Sequence, residues 1–127
     1  MKMEKFRVKE HCKMENLTYY PNGLRKSEGN RKNFLLDSTW LFYQENGNIQ
    51  YKINYLENKK NGVYQHFDEN CLLVKEEVFN DDIISGVTRT FYPDSAEMLV
   101  KKTIPYENGR REGVGYEYAK DGRITAI

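Results

Sequence analysis

No long apolar run occurs anywhere in the sequence. None approaches the ~18 residues that a membrane helix needs. The opening Met1 to Phe6 leads into Arg7, Lys9 and Glu10, not into the apolar stretch of a secretory leader. Cysteine is scarce as well. Cys12 and Cys71 are too few for a disulfide framework, so reduced thiols are expected. An excess of charge of one sign is also missing: 20 Lys and Arg stand against 19 Asp and Glu. No global field draws such a chain to nucleic acid or to an acidic membrane surface. These absences predict a cytoplasmic protein with neither nucleic acid nor a membrane as its partner.

What is present points to a β protein. A chain of 127 residues makes one domain with a core of its own. Mean hydropathy is low, yet 13% of residues are aromatic, and disordered chains are poor in aromatics. Ten tyrosines favour strands that are wet on one face, since Tyr has an apolar body and a polar tip.

The dominant feature is an internal period. An aromatic precedes a turn residue by four positions at Tyr19 with Gly23, Tyr43 with Gly47, Phe67 with Cys71, Tyr92 with Ala96 and Tyr118 with Gly122. The turns are thus spaced by 24, 24, 25 and 26 residues. Two further frames agree. Tyr55, Phe79 and Tyr106 stand seven residues before Gly62, Gly86 and Gly113, each followed by Val, while Ser38 takes the equivalent place in the first copy. Asn22-Gly23, Asn46-Gly47 and Asp121-Gly122 predict tight hairpins, because both residues tolerate positive φ. The expected fold is an all-β antiparallel meander of repeated ~24-residue β-hairpins, forming a curled single-layer sheet. About four and a half repeats fill residues 16–127. Residues 1–15, with Phe6 and Val8, form either an irregular segment or a capping edge strand. Residues 25–33 contain no apolar side chain, which predicts a degraded strand or a loop there.

Alternation assigns the faces. Thr39, Leu41 and Tyr43 read as inward, as do Val63 and Phe67, Val87 and Phe91, and Tyr116 and Tyr118. Ile49, Tyr51, Ile53, Tyr55, Phe79 and Tyr106 read as inward from the second strands. Trp40, Phe42, Tyr64 and His66 would then form an aromatic patch on the outer face, and they are the candidate partner-binding residues. Trp and Tyr are enriched at binding hot spots. Ile124 to Ile127 form an uncharged edge, which predicts a weak homodimer through that strand.

The segment YQENGNIQYKINYLENKKNGVYQHF shows the repeat consensus in full. It resembles the MORN-repeat variant of bacterial proteins in the YwqK antitoxin family, over roughly residues 16–127. The resemblance implies an elongated antiparallel sheet and a protein partner, with a toxin as the partner in an antitoxin or immunity pairing. MORN repeats elsewhere are associated with membranes and phosphoinositides. The alternative it implies is a membrane-surface adaptor holding anionic lipid head groups through basic turns, here Lys59, Lys60, Arg110 and Arg111. Some MORN chains accompany lipid kinases. This sequence has no Gly-rich phosphate loop, no His-Arg-Asp and no Asp-Phe-Gly, so kinase activity is not expected.

Hidden chemistry finds little support. His66 with Cys71 and His11 with Cys12 offer soft ligands, but without a Cys-x-x-Cys element, so neither a metal nor another cofactor is expected. Glu76 and Glu77 are adjacent on a strand and point to opposite faces, so they cannot act as an acid–base pair. The expectation is a non-catalytic binding protein.

Overall fold

The computed structural model describes residues 17–19, 25–93 and 98–127. Its strands are β1 (Leu17–Tyr19), β2 (Arg25–Lys32), β3 (Leu35–Tyr43), β4 (Ile49–Leu56), β5 (Lys59–Phe67) and β6 (Leu73–Asn80). They continue with β7 (Ile83–Ile84), β8 (Gly86–Phe91), β9 (Val100–Glu107), β10 (Arg110–Arg111), β11 (Tyr116–Tyr118) and β12 (Ile124–Ala126). No helix occurs among the described residues. Strands pair antiparallel in sequence order from β1 to β12, with β7 and β10 as short side pairings to β6 and β9. The two end strands do not pair with each other, so the sheet is not closed into a barrel. Every extensive contact between elements joins hydrogen-bonded neighbours, so the described residues form a single layer.

The two kinds of turn differ in chemistry from the sequence expectation. In the Asn46-Gly47 turn only Gly47 has positive φ. The Gln44 N–H donates to Asn48 O and the Gly47 N–H to Gln44 O, at 2.8 and 2.9 Å. That is a three-residue loop ending in a left-handed residue. The same bonds recur at Asp68–Leu72 and Ala119–Arg123, where Cys71 (φ 62°) and Gly122 (φ 92°) take the left-handed place. Two consecutive positive φ values belong instead to the opposite edge, at Asn33-Phe34, Glu57-Asn58, Asp81-Asp82 and Asn108-Gly109. The turns expected at Gly23 and Ala96, and the segment 1–15, lie outside the described residues.

A β-bulge accompanies each of the three described three-residue loops, and the same slip occurs at Tyr19 and Phe91. The pairing slips between Thr18 and Tyr19, Phe42 and Tyr43, His66 and Phe67, Thr90 and Phe91, and Glu117 and Tyr118. The period is therefore written in the backbone at positions 19, 43, 67, 91 and 118. In β3 and β4, Tyr43 pairs with Ile49 but Phe42 with Tyr51, leaving Gln50 as the extra residue. A slip of one residue exchanges the faces of everything beyond it. Residues directly opposite each other share a face, and this sorts the sheet.

The back face carries Leu41 and Tyr43, with Ile49 and Cys71 buried against them and Phe67 packed alongside. The inward reading of the first strands thus holds. The reading of the second strands holds for Ile49 but not for the residues beyond it. Tyr51 and Ile53 pair with Phe42 and Trp40, Tyr55 with Ser38, Phe79 with Gly62, and Tyr106 with Gly86, so all of these lie on the front face. Tyr55 and Phe79 are half-buried there, not part of the back core.

Residues 25–33 correct the sequence reading a second time. Arg25–Lys32 is a full strand, paired with β1 on one side and β3 on the other. Two of its residues meet tertiary partners. Glu28 is fully buried and accepts a hydrogen bond from the Tyr43 hydroxyl, and Asn30 O accepts one from Trp40 Nε1 at 2.7 Å.

Both turn edges are clasped from one repeat to the next. Asn58 Oδ1 accepts from the Leu36 N–H at 2.7 Å, and the Asn58 N–H donates back to Leu36 O at 3.0 Å. Asp82 does the same to Lys60, at 2.7 and 2.9 Å. On the other edge Gln44 Nε2 donates to Asp68 O, and Asn48 Nδ2 to Glu69 O. The recurring Asn and Asp residues therefore hold neighbouring hairpins together as well as forming turns.

Candidate functional site

The middle of the front face is a grid set by pairing register. Trp40 on β3 opposes Ile53 on β4, which opposes Tyr64 on β5, which opposes Glu77 on β6. The next row reads Phe42, Tyr51, His66 and Lys75. Tyr64 and His66, two residues apart on one strand, stack with ring centroids 4.3 Å apart and planes 5° from parallel. Tyr51 closes on both edge-on, at 5.7 and 5.4 Å. This suits the positive edge and negative face of aromatic rings. Phe79 lies 5.8 Å from Tyr64, and the Lys60 ammonium sits 5.1 and 5.0 Å from the centroids of those two rings.

Polar groups fix the cluster. His66 Nε2 lies 2.7 Å from Glu77 Oε1, and the other oxygen of Glu77 is 3.8 Å from the Lys75 ammonium. Lost hydration pushes the Tyr64 phenol up to about 12, with the neighbouring charges of Tyr51, Glu77 and Tyr55 adding to it. Burial also raises Tyr55, helped by Asp82. At neutral pH the face therefore offers neutral phenols as donors and acceptors beside the half-buried Lys60.

The structure divides the expected patch. Trp40 is only 5% exposed. Its indole covers Gly29 of β2, where an added Cβ would come within 2.3 Å of the ring, and the Arg31 guanidinium lies 5.3 Å above it. Trp40 is thus a packed residue of the front face, not a binding tip, because β2 exists as a strand beneath it. Phe42 is half-buried, 6.3 Å from Trp40. Tyr64 and His66 keep their accessible place, with β4 standing between them and β3. Tyr51 and Phe79 belong to the site but were read as inward from the sequence. Only the bulge beside the tight turn would have reassigned them.

The basic turns do not form one row. Lys59 and Lys60 point to opposite faces; Lys59 lies 3.7 Å from Asp81, while Lys60 folds over the aromatic cluster. Arg110 and Arg111 are exposed on β10, beyond Asp81 and Asp82. Ile124 and Ile127 are exposed at the β12 edge. His66 belongs to the front face and Cys71 to the back core, while His11 and Cys12 lie outside the described residues. No group of metal-ligating side chains occurs among the described residues. Glu76 and Glu77 do point apart: Glu76 accepts from Gln65 and lies 3.9 Å from Arg89 on the back face.

No protein-family model matches the chain. No curated protein matches it either. Among solved structures, the chain is similar to that of a crystal structure of TarM, with a TM-score of 0.50 and 13% identity over 96% of this chain. It spans 24% of the TarM chain, and a likeness at this identity is one of fold alone.

Proposed function

We propose that the chain is a non-catalytic protein-binding module whose contact surface is the front face around Phe42, Tyr51, Tyr64, His66 and Phe79. The observation that carries this reading is the half-buried aromatic cluster on a sheet that no second layer covers among the described residues. Most aromatic side chains of a small domain are covered by an opposing layer. Clustered apolar groups left in reach of solvent mark contact surfaces. Tyr and His combine ring area with a polar tip, which suits a protein interface more than a catalytic centre. Among the described residues no Ser, Thr or Cys hydrogen-bonds to His66 or Glu77, so the pair has no nucleophile at hand there.

The repeat pattern's likeness to YwqK-type MORN variants supports a cytoplasmic bacterial antitoxin or immunity protein, with a toxin as the partner. The test is Tyr64→Ser, assayed for thermal stability and for retention of the partner in a pull-down from the native host. Retained stability with lost capture supports the reading. Undiminished capture by a folded variant rejects it.

A further inference from the structure

The front face changes character across the sheet. From β3 to β5 the second row is aromatic: Phe42, Tyr51 and His66. From β6 to β9 it turns cationic, before Glu117 follows on β11. Lys75 opposes Thr90 on β8, and Thr90 opposes Lys102 on β9, so a hydroxyl stands between two ammonium-bearing positions on one face. Neighbouring strands are about 4.8 Å apart, which puts these two lysines about 10 Å from each other along the row. Lys102 is exposed and has no carboxylate within salt-bridge reach among the described residues. Lys75 is half-exposed and shares Glu77 with His66 at a loose 3.8 Å. Arg31 and Lys60 add positive charge over the Trp40 and Tyr64 rings. The opposing carboxylates are Glu77, already engaged, Glu117, which stands directly opposite Lys102 but beyond salt-bridge distance, and Asp82 at the turn.

Aromatic and basic residues together also suit single-stranded nucleic acid, whose bases stack on open ring faces. Here those faces are taken. Tyr64 and His66 cover one another, Tyr51 closes edge-on, and Lys60 lies over Tyr64 and Phe79. Side chains that wedge between rings fit this surface better than flat bases do.

We propose that the front face binds an acidic polypeptide segment bearing aromatic or large apolar side chains, its carboxylates held by Lys75, Thr90 and Lys102 and its apolar groups seated against Phe42, Tyr51 and Tyr64. The proposal rests on the protein-binding reading and adds the chemistry of the partner. Lysines of this kind set the rate and specificity of encounter, and their effect is screened by salt.

The experiment measures fluorescence anisotropy of a labelled random copolymer of glutamate and tyrosine. Saturable, salt-sensitive binding is expected. The double change Lys75→Glu with Lys102→Glu should weaken it by at least about tenfold, since like charge then faces the ligand. Lys52→Glu, at an exposed position on the back face, should leave it unchanged. All three positions are solvent-accessible, so melting temperatures should stay near wild type. The proposal is overturned if the copolymer does not bind, or if Lys52→Glu weakens binding as much as the front-face pair. Tighter binding of single-stranded oligothymidylate, or of vesicles containing phosphatidylserine, through the same lysines would also overturn it. Partner capture that depends on Tyr64 but is indifferent to the lysine pair would reject the acidic class and leave the binding face standing.

Discussion

Trp40 rests on Gly29. The ring's Cδ2, Cγ and Cε2 atoms would lie 2.3, 2.5 and 2.6 Å from a Cβ at position 29. Neither the indole nor the strand beneath it can yield by that much without unpacking. Gly29→Ala should therefore destabilise the fold by about 1–3 kcal/mol, the usual range for overpacking. Trp40 is the single tryptophan, so its fluorescence reports the change directly. The expected result is a lower denaturation midpoint with red-shifted emission. Unchanged emission and midpoint would mean that the indole does not cover β2.

A second prediction concerns the back core. Tyr43 and Glu28 are both buried, and the phenol donates to the carboxylate. Tyr43→Phe keeps the ring and removes the donor. Weakening the support of a buried carboxylate should lower stability by about 1–3 kcal/mol in urea denaturation. A midpoint equal to wild type would show that the carboxylate does not depend on the phenol.

The turn clasps make a third prediction. Asn58 combines a left-handed backbone (φ 70°) with a side chain that accepts from Leu36. Asn58→Ala loses both advantages and should cost about 1–3 kcal/mol. Asn58→Gly keeps the backbone freedom and should cost less than Ala. Equal losses for Ala and Gly would assign the whole effect to the clasp.

Alkaline pH supplies a fourth. The Tyr64 phenol holds its proton to about 12 in the folded chain, against about 10 in an unfolded one. A folded-state value above the unfolded value gives stability that is complete below about pH 10. That stability is lost as pH rises from about 10 to 12, where the unfolded chain releases a proton the folded chain keeps. Tyr55 acts in the same direction. Tyr64→Phe should flatten this alkaline slope and remove a late step from the absorbance titration of phenolate. A slope identical to wild type would place Tyr64 in water.

Much of the architecture is legible in the residues themselves. The 24-residue period, the all-β class and the back-facing Leu41 and Tyr43 follow from alternation and turn chemistry. Ser38, aligned by sequence with Gly62, Gly86 and Gly113, also has a positive φ (60° against 105°, 127° and 92°). The opposite directions of Glu76 and Glu77 follow from strand geometry alone. These are local properties, fixed by each residue's own backbone and its neighbours in sequence.

The faces of the second strands were decided elsewhere. Alternation has a period of two and carries no mark of where it slips. The bulge at Gln50 exists because a three-residue turn must be matched to a paired ladder. It leaves Ile49 in the back core and sends Tyr51 and Ile53 to the front. Likewise, nothing in Arg25–Lys32 resembles a buried strand, since its partners are far away in sequence. Glu28 waits for the Tyr43 hydroxyl, Asn30 for the Trp40 indole, and Gly29 leaves the room that ring occupies. A polar segment becomes a strand when its neighbours satisfy it, and only the assembled sheet supplies those neighbours.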